Sequence, residues 1–527
     1  MNEFEPSDVP IFLSICFLDS AVNLFSSNYT IVFMKDIGSC NNFCSNKKSL
    51  NSAAASKSNL MPILFRSSAT TEKALPNLRN KLSSFLIIIH LIILLGSCSI
   101  SKQISRQAKN DLLKDAAVAT GHIGISIYEP ATGKYWYNYD AAKYFVPASN
   151  TKLFSLYAGM KYLGDSLVGL RYEKTCDNYI TIVGTGDPTF LHPDFKNQPV
   201  LNFLQKPVDY AYLQDSFLSK FSPLGNGWAW DDYQSAYAAE RSELPIYGNV
   251  VKFYLQNDTL AVSPPTFYTH SFQWLNSTLT KGVGTKFSIE RPFDDNSFHS
   301  LSKSSSKFTE QWIPFKTTSN ETPPKSTFIK LLEDTLHKKI GNCASVDSRF
   351  ILRNIIHSQP VDSLFKPMMH RSDNFFAEQT LLMASNEHLG IMSDEIIIDT
   401  LLQNDLADIP QRPKWVDGSG LSRYNLFTPQ SFVYILNKMK NEFGMERLKN
   451  ILPTGGEGTL SAYYQKAAGF IFAKTGTLSN HCALSGFMFT KKNKLLIFSV
   501  LANHYTTAST PVRRAVETFL TDIREKY

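Results

Sequence analysis

Cysteine is scarce in this chain. Only seven occur among 527 residues, none in a Cys-x-x-Cys pair, which is too sparse for a disulfide framework in a protein of this size. The eleven histidines include no His-x-x-x-His pair. Spacing therefore supports neither a zinc nor a haem site, and no metal or cofactor is expected. A long run of one charge is missing as well. The net charge is +7, with Lys and Arg scattered throughout, so no basic surface for nucleic acid is implied. Nor does any apolar run reach the ~20 residues of a membrane-spanning helix. What remains is 43% hydrophobic, suited to a folded chain long enough for two or three domains.

The longest apolar run, SSFLIIIHLIILLGSC over residues 83–98, follows Arg79 and Lys81 and ends in small residues at a cysteine. A basic flank, a short apolar stretch and a small-residue junction describe an export signal. Leu95-Gly96-Ser97-Cys98 resembles a bacterial lipobox. That implies a lipid on Cys98, a membrane-anchored lipoprotein and a location on the periplasmic face; the alternative is a short anchor helix with an incidental cysteine. A signal should start a chain, so residues 61–98 are read as the signal peptide, starting at Met61, and residues 1–60 as a non-native upstream extension.

Residues 99–115 are polar and read as a linker. HIGISIYEPATGKYWYNYD, residues 122–140, alternates around Pro130-Ala131-Thr132-Gly133 and predicts a β-hairpin. Leu153, Leu156, Tyr157 and Met160 then fall at helical spacing. Near the other end, GFIFAKT predicts a strand, and CALSGFMFT and LLIFSVLANHY a hairpin around KKNK. The last helix is predicted with Thr510 as N-cap and Pro511 at its first position. Between these ends, residues 170–350 carry short strand-like runs such as YITIVGTGDPTF and VVKFYLQNDTLAVSPP. The expectation is an α/β (α+β) protein: a split domain over 116–169 and 351–527, with a β-rich insertion over 170–350.

The stretch FVPASNTKLFSLYAG sets Ser149 and Lys152 three positions apart at a predicted helix start. Alone this says little, because Ser-x-x-Lys also begins at Ser45, Ser99, Ser300, Ser304 and Ser363. Two further motifs give it weight. Ser372-Asp373-Asn374 opens a helical pattern, and Lys474-Thr475-Gly476-Thr477 ends a predicted strand; Ser-Asp-Asn and Lys-Thr-Gly each occur once. A serine hydroxyl needs a base to become nucleophilic at neutral pH. Residues three apart at a helix start share one face, so Lys152 can reach Ser149. Its amine must shed the charge it ordinarily holds to ~10.4, through burial or a neighbouring cation such as Lys474. Lys474 can also attract a substrate carboxylate. The Ser149 and Thr477 N–H groups suit an oxyanion. Ser372 can relay a proton to a leaving amine, and Asn374 can hold Lys152 and a substrate amide. Taken singly, Ser149 reads more readily as a helix N-cap than as a nucleophile, Ser372 as an N-cap too and Lys474 as an exposed strand-end lysine; taken together, the three motifs reverse that reading.

Ser-x-x-Lys, Ser-x-Asn and Lys-Thr-Gly, in that order, form the set found in penicillin-binding proteins and class A β-lactamases. From about residue 115 onward the chain resembles the S13 serine peptidases, the class C low-molecular-mass penicillin-binding proteins with D-Ala-D-Ala carboxypeptidase/endopeptidase activity. The likeness extends to Gly186-Asp187-Pro188, Trp228-Ala229-Trp230-Asp231-Asp232, Ala377-Glu378, Asp417-Gly418-Ser419-Gly420-Leu421-Ser422-Arg423 and Gly458-Thr459-Leu460. It implies a transpeptidase-like fold, acyl transfer on peptidoglycan stem peptides by Ser149, and acylation of the same serine by β-lactam antibiotics. It also implies contacts from Asp187 and Arg423 to the peptide's side-chain end, unless the Asp-Gly-Ser-Gly run is simply a turn.

Two rival readings stay open on sequence alone. A serine β-lactamase needs a glutamate placed for deacylation, which no motif supplies, and would not need the long insertion. A cell-wall-binding lipoprotein with a dead site is opposed by the intact Ser149, Lys152, Ser372, Asn374 and Lys474.

Overall fold

The computed structural model describes residues 100–174, 179–213, 219–257, 259–268, 289–300, 310–317, 327–343 and 353–527. Cys98, the 61–98 leader and the 1–60 extension lie outside these described residues.

The described residues begin with α1 (100–107), continued by a π-helical turn, Ala108–Leu112. β1 (His122–Glu129) and β2 (Lys134–Tyr139) form the expected hairpin, and α2 (Lys152–Tyr162) leads to β3 (Ser166–Lys174) and β4 (Ile180–Gly184). Then come α3 (Pro199–Leu204), β5 (Tyr210–Leu213), β6 (Val250–Gln256), β7 (Thr259–Ser263), β8 (Ile289–Glu290), β9 (His299–Ser300), β10 (Gln311–Pro314), α4 (Thr327–Leu336), β11 (Ile340–Cys343) and β12 (Asn354–Pro360). The remainder is α5 (Val361–His370), α6 (Asn374–Leu389), α7 (Asp394–Gln403), α8 (Pro429–Phe443), α9 (Met445–Ile451), β13 (Ile471–Leu478), β14 (His481–Phe489), β15 (Leu495–Asn503) and α10 (Ser509–Lys526).

A five-stranded antiparallel sheet, β13-β14-β15-β1-β2, joins the two ends of the chain. Its side chains alternate between two cores, as strand geometry requires. Ile123, Ile125 and Ile127 of β1 and Phe498 and Val500 of β15 meet Val512, Phe519 and Ile523 of α10. Ile497 and Leu501 of β15 and Phe487 of β14 meet α2, α6 and α8 on the other face. The sheet is thus covered by helices on both sides, which is the mixed α/β architecture expected. A second five-stranded sheet, β11-β5-β4-β3-β12, has parallel β4–β5 and β5–β11 pairs beside antiparallel β3–β4 and β3–β12 pairs. It carries a third core running from Leu170 to Ile340. A three-stranded sheet, β10-β6-β7, adds Val251, Phe253 and Ile313 to that core.

Two local expectations are corrected. Residues 100–112 are helical rather than a linker. Ile104, Ala108 and Leu112 recur every fourth residue and are fully buried in the same core as α10, so a stripe hidden in a polar segment makes the helix worth forming. The last helix starts at Ser509, and its N-cap is Ala508 rather than Thr510. Pro511 is accommodated because the first turn has N–H groups to spare.

Candidate active site

The Ser149 turn lies where α2 meets the edge strand β13. Ser149 sits within a 3-10 turn, Ala148–Thr151, and Lys152 is the first residue of α2. Ala148 precedes it in the left-handed region at φ 48°, a conformation that costs about 1–3 kcal/mol in a residue with a Cβ. Two glycines let other backbones close on this turn. A Cβ on Gly476 would lie 2.5 Å from the Pro147 carbonyl oxygen and 3.1 Å from the Ser149 nitrogen. A Cβ on Gly420 would lie 1.9 Å from the Ala148 carbonyl oxygen. Asn150 Nδ2 donates to Ser485 Oγ at 2.7 Å, and Ser485 Oγ to Ser499 Oγ at 2.8 Å, pinning the turn to the sheet.

Lys152 is fully buried, and its Nζ lies 3.0 Å from Ser149 Oγ, 2.6 Å from Asn374 Oδ1 and 2.7 Å from the Ser419 carbonyl oxygen. Two of these partners only accept hydrogen bonds, whereas the hydroxyl can also donate. A neutral amine therefore donates to Asn374 and Ser419 and keeps its lone pair for the Ser149 proton. Burial pushes the Lys152 pKa down to about 8, against the opposing pull of Asp417, Glu378 and Asp373.

Alternation along β13 turns Lys474 and Gly476 toward this turn and leaves Thr475 and Thr477 on the α10 side. Lys474, also fully buried, donates to Ser372 Oγ at 2.8 Å and to the Thr475 carbonyl oxygen at 2.7 Å. Its pKa is held well below the ordinary lysine range, first by burial and then by the charges of Lys152 and Arg513. Burial is the leading cause at both lysines, and their mutual repulsion disfavours charging them together. Ser372 adopts φ 64° and Asp373 takes the N-cap of α6, accepting from Phe376 N at 3.0 Å. Neither Ser149 nor Ser372 is the cap of its helix. Asn374 Nδ2 donates to the Tyr237 carbonyl oxygen at 2.9 Å, linking the motif to the segment between β5 and β6.

The structure thus brings Ser149, Lys152, Ser372, Asn374, Lys474 and Gly476 together. It does not bring Asp187. That carboxylate is 2% exposed and accepts from Thr189 N at 2.9 Å, Thr189 Oγ1 at 3.0 Å and Ser358 Oγ. Burial raises its pKa and these donors oppose the rise; through Ser358 the carboxylate ties its loop to β12. Arg423 is exposed beside the β13–β14 turn, 3.4 Å from the Ser479 carbonyl oxygen and 3.4 Å from His481 Nδ1. The Asp417 run is a turn that also serves the site. Asp417 accepts from Gly420 N at 2.8 Å and Ser422 N at 2.6 Å, which holds the Ser419 carbonyl against Lys152.

Residue patterning did not point to the layer behind that turn. Glu378 Oε1 accepts from Ser419 N at 2.7 Å, and Oε2 lies 3.3 Å from Arg241, which pairs with Asp394 at 2.6 Å. The available signal was Glu378 itself, four residues after Asn374 and so on the same face of α6.

With this geometry in place, comparison with known proteins is informative. The chain is 23% identical over 446 residues to the penicillin-sensitive carboxypeptidase A of Dictyostelium discoideum, covering 73% of this chain and 83% of that one. It is 24% identical over 462 residues to the D-alanyl-D-alanine carboxypeptidase of Actinomadura sp. (strain R39), covering 78% and 83%. Among solved structures, penicillin binding protein 4 (dacB) from Haemophilus influenzae superimposes with a TM-score of 0.60 at 17% identity, over 80% of this chain and 99% of that one; this is a likeness of fold. The model of the D-Ala-D-Ala carboxypeptidase 3 (S13) family matches residues 105–523, and the chain belongs to that family.

Proposed function

We propose that this chain is a serine-type D-Ala-D-Ala carboxypeptidase that works through an acyl-enzyme on Ser149. The observation that carries the reading is the 3.0 Å contact between Ser149 Oγ and a fully buried lysine whose other two partners are acceptors only. Lys152 takes the hydroxyl proton as Oγ bonds to the carbonyl carbon preceding the terminal D-alanine. The oxyanion is held by the N–H groups of Ser149 and Thr477. The C–N bond then breaks, and the proton held by Lys152 is relayed through the Ser372 hydroxyl, 2.8 Å from Lys474 Nζ, to the departing amine, which leaves Lys152 neutral again. Water then attacks the ester and gives a proton to Lys152, which returns it to Ser149 Oγ as the ester bond breaks and the shortened peptide leaves. Asn374 holds Lys152 and the substrate amide, Thr475 and Gly476 shape the strand edge, and Arg423 contacts the peptide's far end. Peptidoglycan stem peptides are the substrates, and β-lactams acylate the same serine.

A β-lactamase reading is less well supported, since Glu378 is committed to Ser419 N and Arg241. We also propose export and anchoring through a lipid on Cys98, on the periplasmic face; the lipobox-like Leu95-Gly96-Ser97-Cys98 supports it.

Mass spectrometry of the protein after incubation with penicillin and with purified muropeptides tests the central reading. A penicilloyl adduct on the peptide carrying Ser149, with loss of D-alanine from the muropeptide, is expected. No adduct and intact D-Ala-D-Ala termini would leave a wall-binding protein, and rapid turnover of a chromogenic cephalosporin a β-lactamase.

The base also predicts a pH profile. Lys152 works only uncharged, so the second-order rate of penicillin acylation rises with pH and levels off above about 8. Two units below that midpoint the rate is about a hundredfold below its plateau. Stopped-flow acylation between pH 5.5 and 10 measures this; a midpoint near that of a free lysine would show that burial does not lower Lys152, and a rate flat across this range would exclude Lys152 as the base.

A further inference from the structure

The turn that carries Ser372 has a second side. Ser372 and Asn374 face the two lysines. Arg371 and Asp373, which flank Ser372, instead line a cavity of about 260 Å³ with His192 and Asp194 from the loop between β4 and α3. Arg371 Nη1 pairs with Asp194 and its Nε with Asp373 at 3.1 Å, and its guanidinium lies 5.2 Å from the Phe376 ring. The polar part of the lining is therefore fixed before a ligand arrives. The rest is largely apolar and includes Val250, Phe375 and the indole of Trp312 on β10. That indole is held as well, by Glu310, which accepts from its Nε1 at 2.7 Å, and by Lys252 Nζ, 4.9 Å over its ring. Trp312 also lines a second cavity, of about 310 Å³, with Gln234, Glu290 and Gln311. The acyl-transfer chemistry uses neither cavity.

The lining indicates the ligand. Burial lowers the His192 pKa, so at neutral pH two carboxylates face one guanidinium and an anion is repelled. His192 Nδ1 accepts from Asp194 N at 3.2 Å, so its Nε2 carries the proton and can donate. Among the described residues, that Nε2, Arg371 Nη2 and Asp194 Oδ1 have no hydrogen-bond partner. Two donors and an acceptor beside apolar surface suit a neutral ligand with C–H faces and a rim of hydroxyls, which describes a sugar ring. Two compartments sharing one indole suit consecutive rings. Asn374, next to Asp373, reaches Ser149 Oγ through Lys152 in contacts of 2.6 and 3.0 Å. A stem peptide of four extended residues spans ~14 Å, long enough to join a ring in this cavity to a carbonyl at Ser149. We propose that the two cavities sharing Trp312 bind neutral amino-sugar rings of the glycan strand that carries the stem peptide, and so favour polymeric substrate over free peptide. This deepens the peptidoglycan reading of the Ser149 site and rests on it.

Saturation-transfer NMR on the full chain with chitotetraose, a neutral N-acetylglucosamine oligomer, tests the site directly. Transfer from protein to sugar is expected. Affinity should fall at least about tenfold in Trp312→Ala and in Ala236→Phe, which fills the first cavity from an exposed position and leaves the indole in place. Trp312→Phe should keep part of the binding, and thermal melts report that each variant is folded. The second measurement is the rate of D-alanine release from uncross-linked peptidoglycan polymer divided by that from the free pentapeptide. This ratio should drop roughly tenfold in the same two variants. No transfer to chitotetraose, or transfer that survives both Trp312→Ala and Ala236→Phe, overturns the proposal. So does a polymer-to-peptide ratio that neither variant moves. Transfer to the free pentapeptide that depends on Trp312 overturns it as well, by making the groove a peptide site. Absence of any acyl adduct on wild-type Ser149 would sink the acyl-enzyme reading, whereas chitotetraose binding that depends on Trp312 would still uphold the sugar site.

Discussion

Lys152→Met should lower penicillin acylation at pH 7.5 by at least about 10⁴-fold, the scale seen when a nucleophile–base pair is broken. Ser149→Ala should remove the adduct altogether. The double variant should be no worse than either single one, because the two residues act as a unit. Lys152→Met should nevertheless fold. At neutral pH the native state bears the cost of charging an amine that burial has moved down to about 8. Between pH 8 and the ordinary lysine range the unfolded chain binds more protons than the native one. Wild-type stability therefore rises there with pH, by up to about 1.4 kcal/mol per unit. The methionine variant lacks the Lys152 share of that rise, leaving only what Lys474 contributes. Its lost hydrogen bonds to Asn374 and Ser419 are offset by removing a buried ionisable group. Urea unfolding at pH 7 and pH 9.5, together with acylation rates, checks both halves. Retained acylation at even a tenth of the wild-type rate would mean another base serves Ser149.

The parts of this site legible in the sequence are those specified over a few residues. Ser149 and Lys152 are one helical turn apart, so their meeting follows from local geometry. Lys474 and Gly476 share a strand face for the same kind of reason. Their three-way convergence was not a matter of local pattern, and resemblance to a family carried it. Elements fixed by distant partners were hidden. The parallel pairing of β4, β5 and β11 depends on strands far apart in sequence, and no residue pattern distinguishes them from hairpin strands. The helix over 100–112 needed α10, at the other end of the chain, to bury its stripe. The enclosure of Asp187 by Thr189 and Ser358 was hidden too, because an acidic residue in a Gly-Asp-Pro turn looks the same exposed or buried.

The buried charges behind the Ser419 turn set the second large effect. Arg241 is 2% exposed, and its guanidinium faces Glu378 and Asp394 while also donating to the Ser222 carbonyl oxygen at 2.8 Å. Glu378 is more deeply buried still; burial raises its pKa to about 7, repulsion from Asp417 adds to this, and Arg241 opposes both. Arg241→Met leaves these acids without their counter-charge, at a cost of about 3–5 kcal/mol. Glu378 then holds its proton to higher pH and accepts more weakly from Ser419 N. The Ser419 carbonyl loosens against Lys152, so acylation falls too. Glu378→Gln in the same background removes the stranded charge while keeping an acceptor for Ser419. The double variant Arg241→Met/Glu378→Gln should therefore regain a large part of the stability lost by Arg241→Met alone, a coupling of roughly 1–3 kcal/mol. Urea midpoints for the two single variants and the double one give the cycle. If Arg241→Met costs less than about 1 kcal/mol, or if the two changes simply add, these charges do not act as one unit, and Arg241 is not what holds the Ser419 turn against the base.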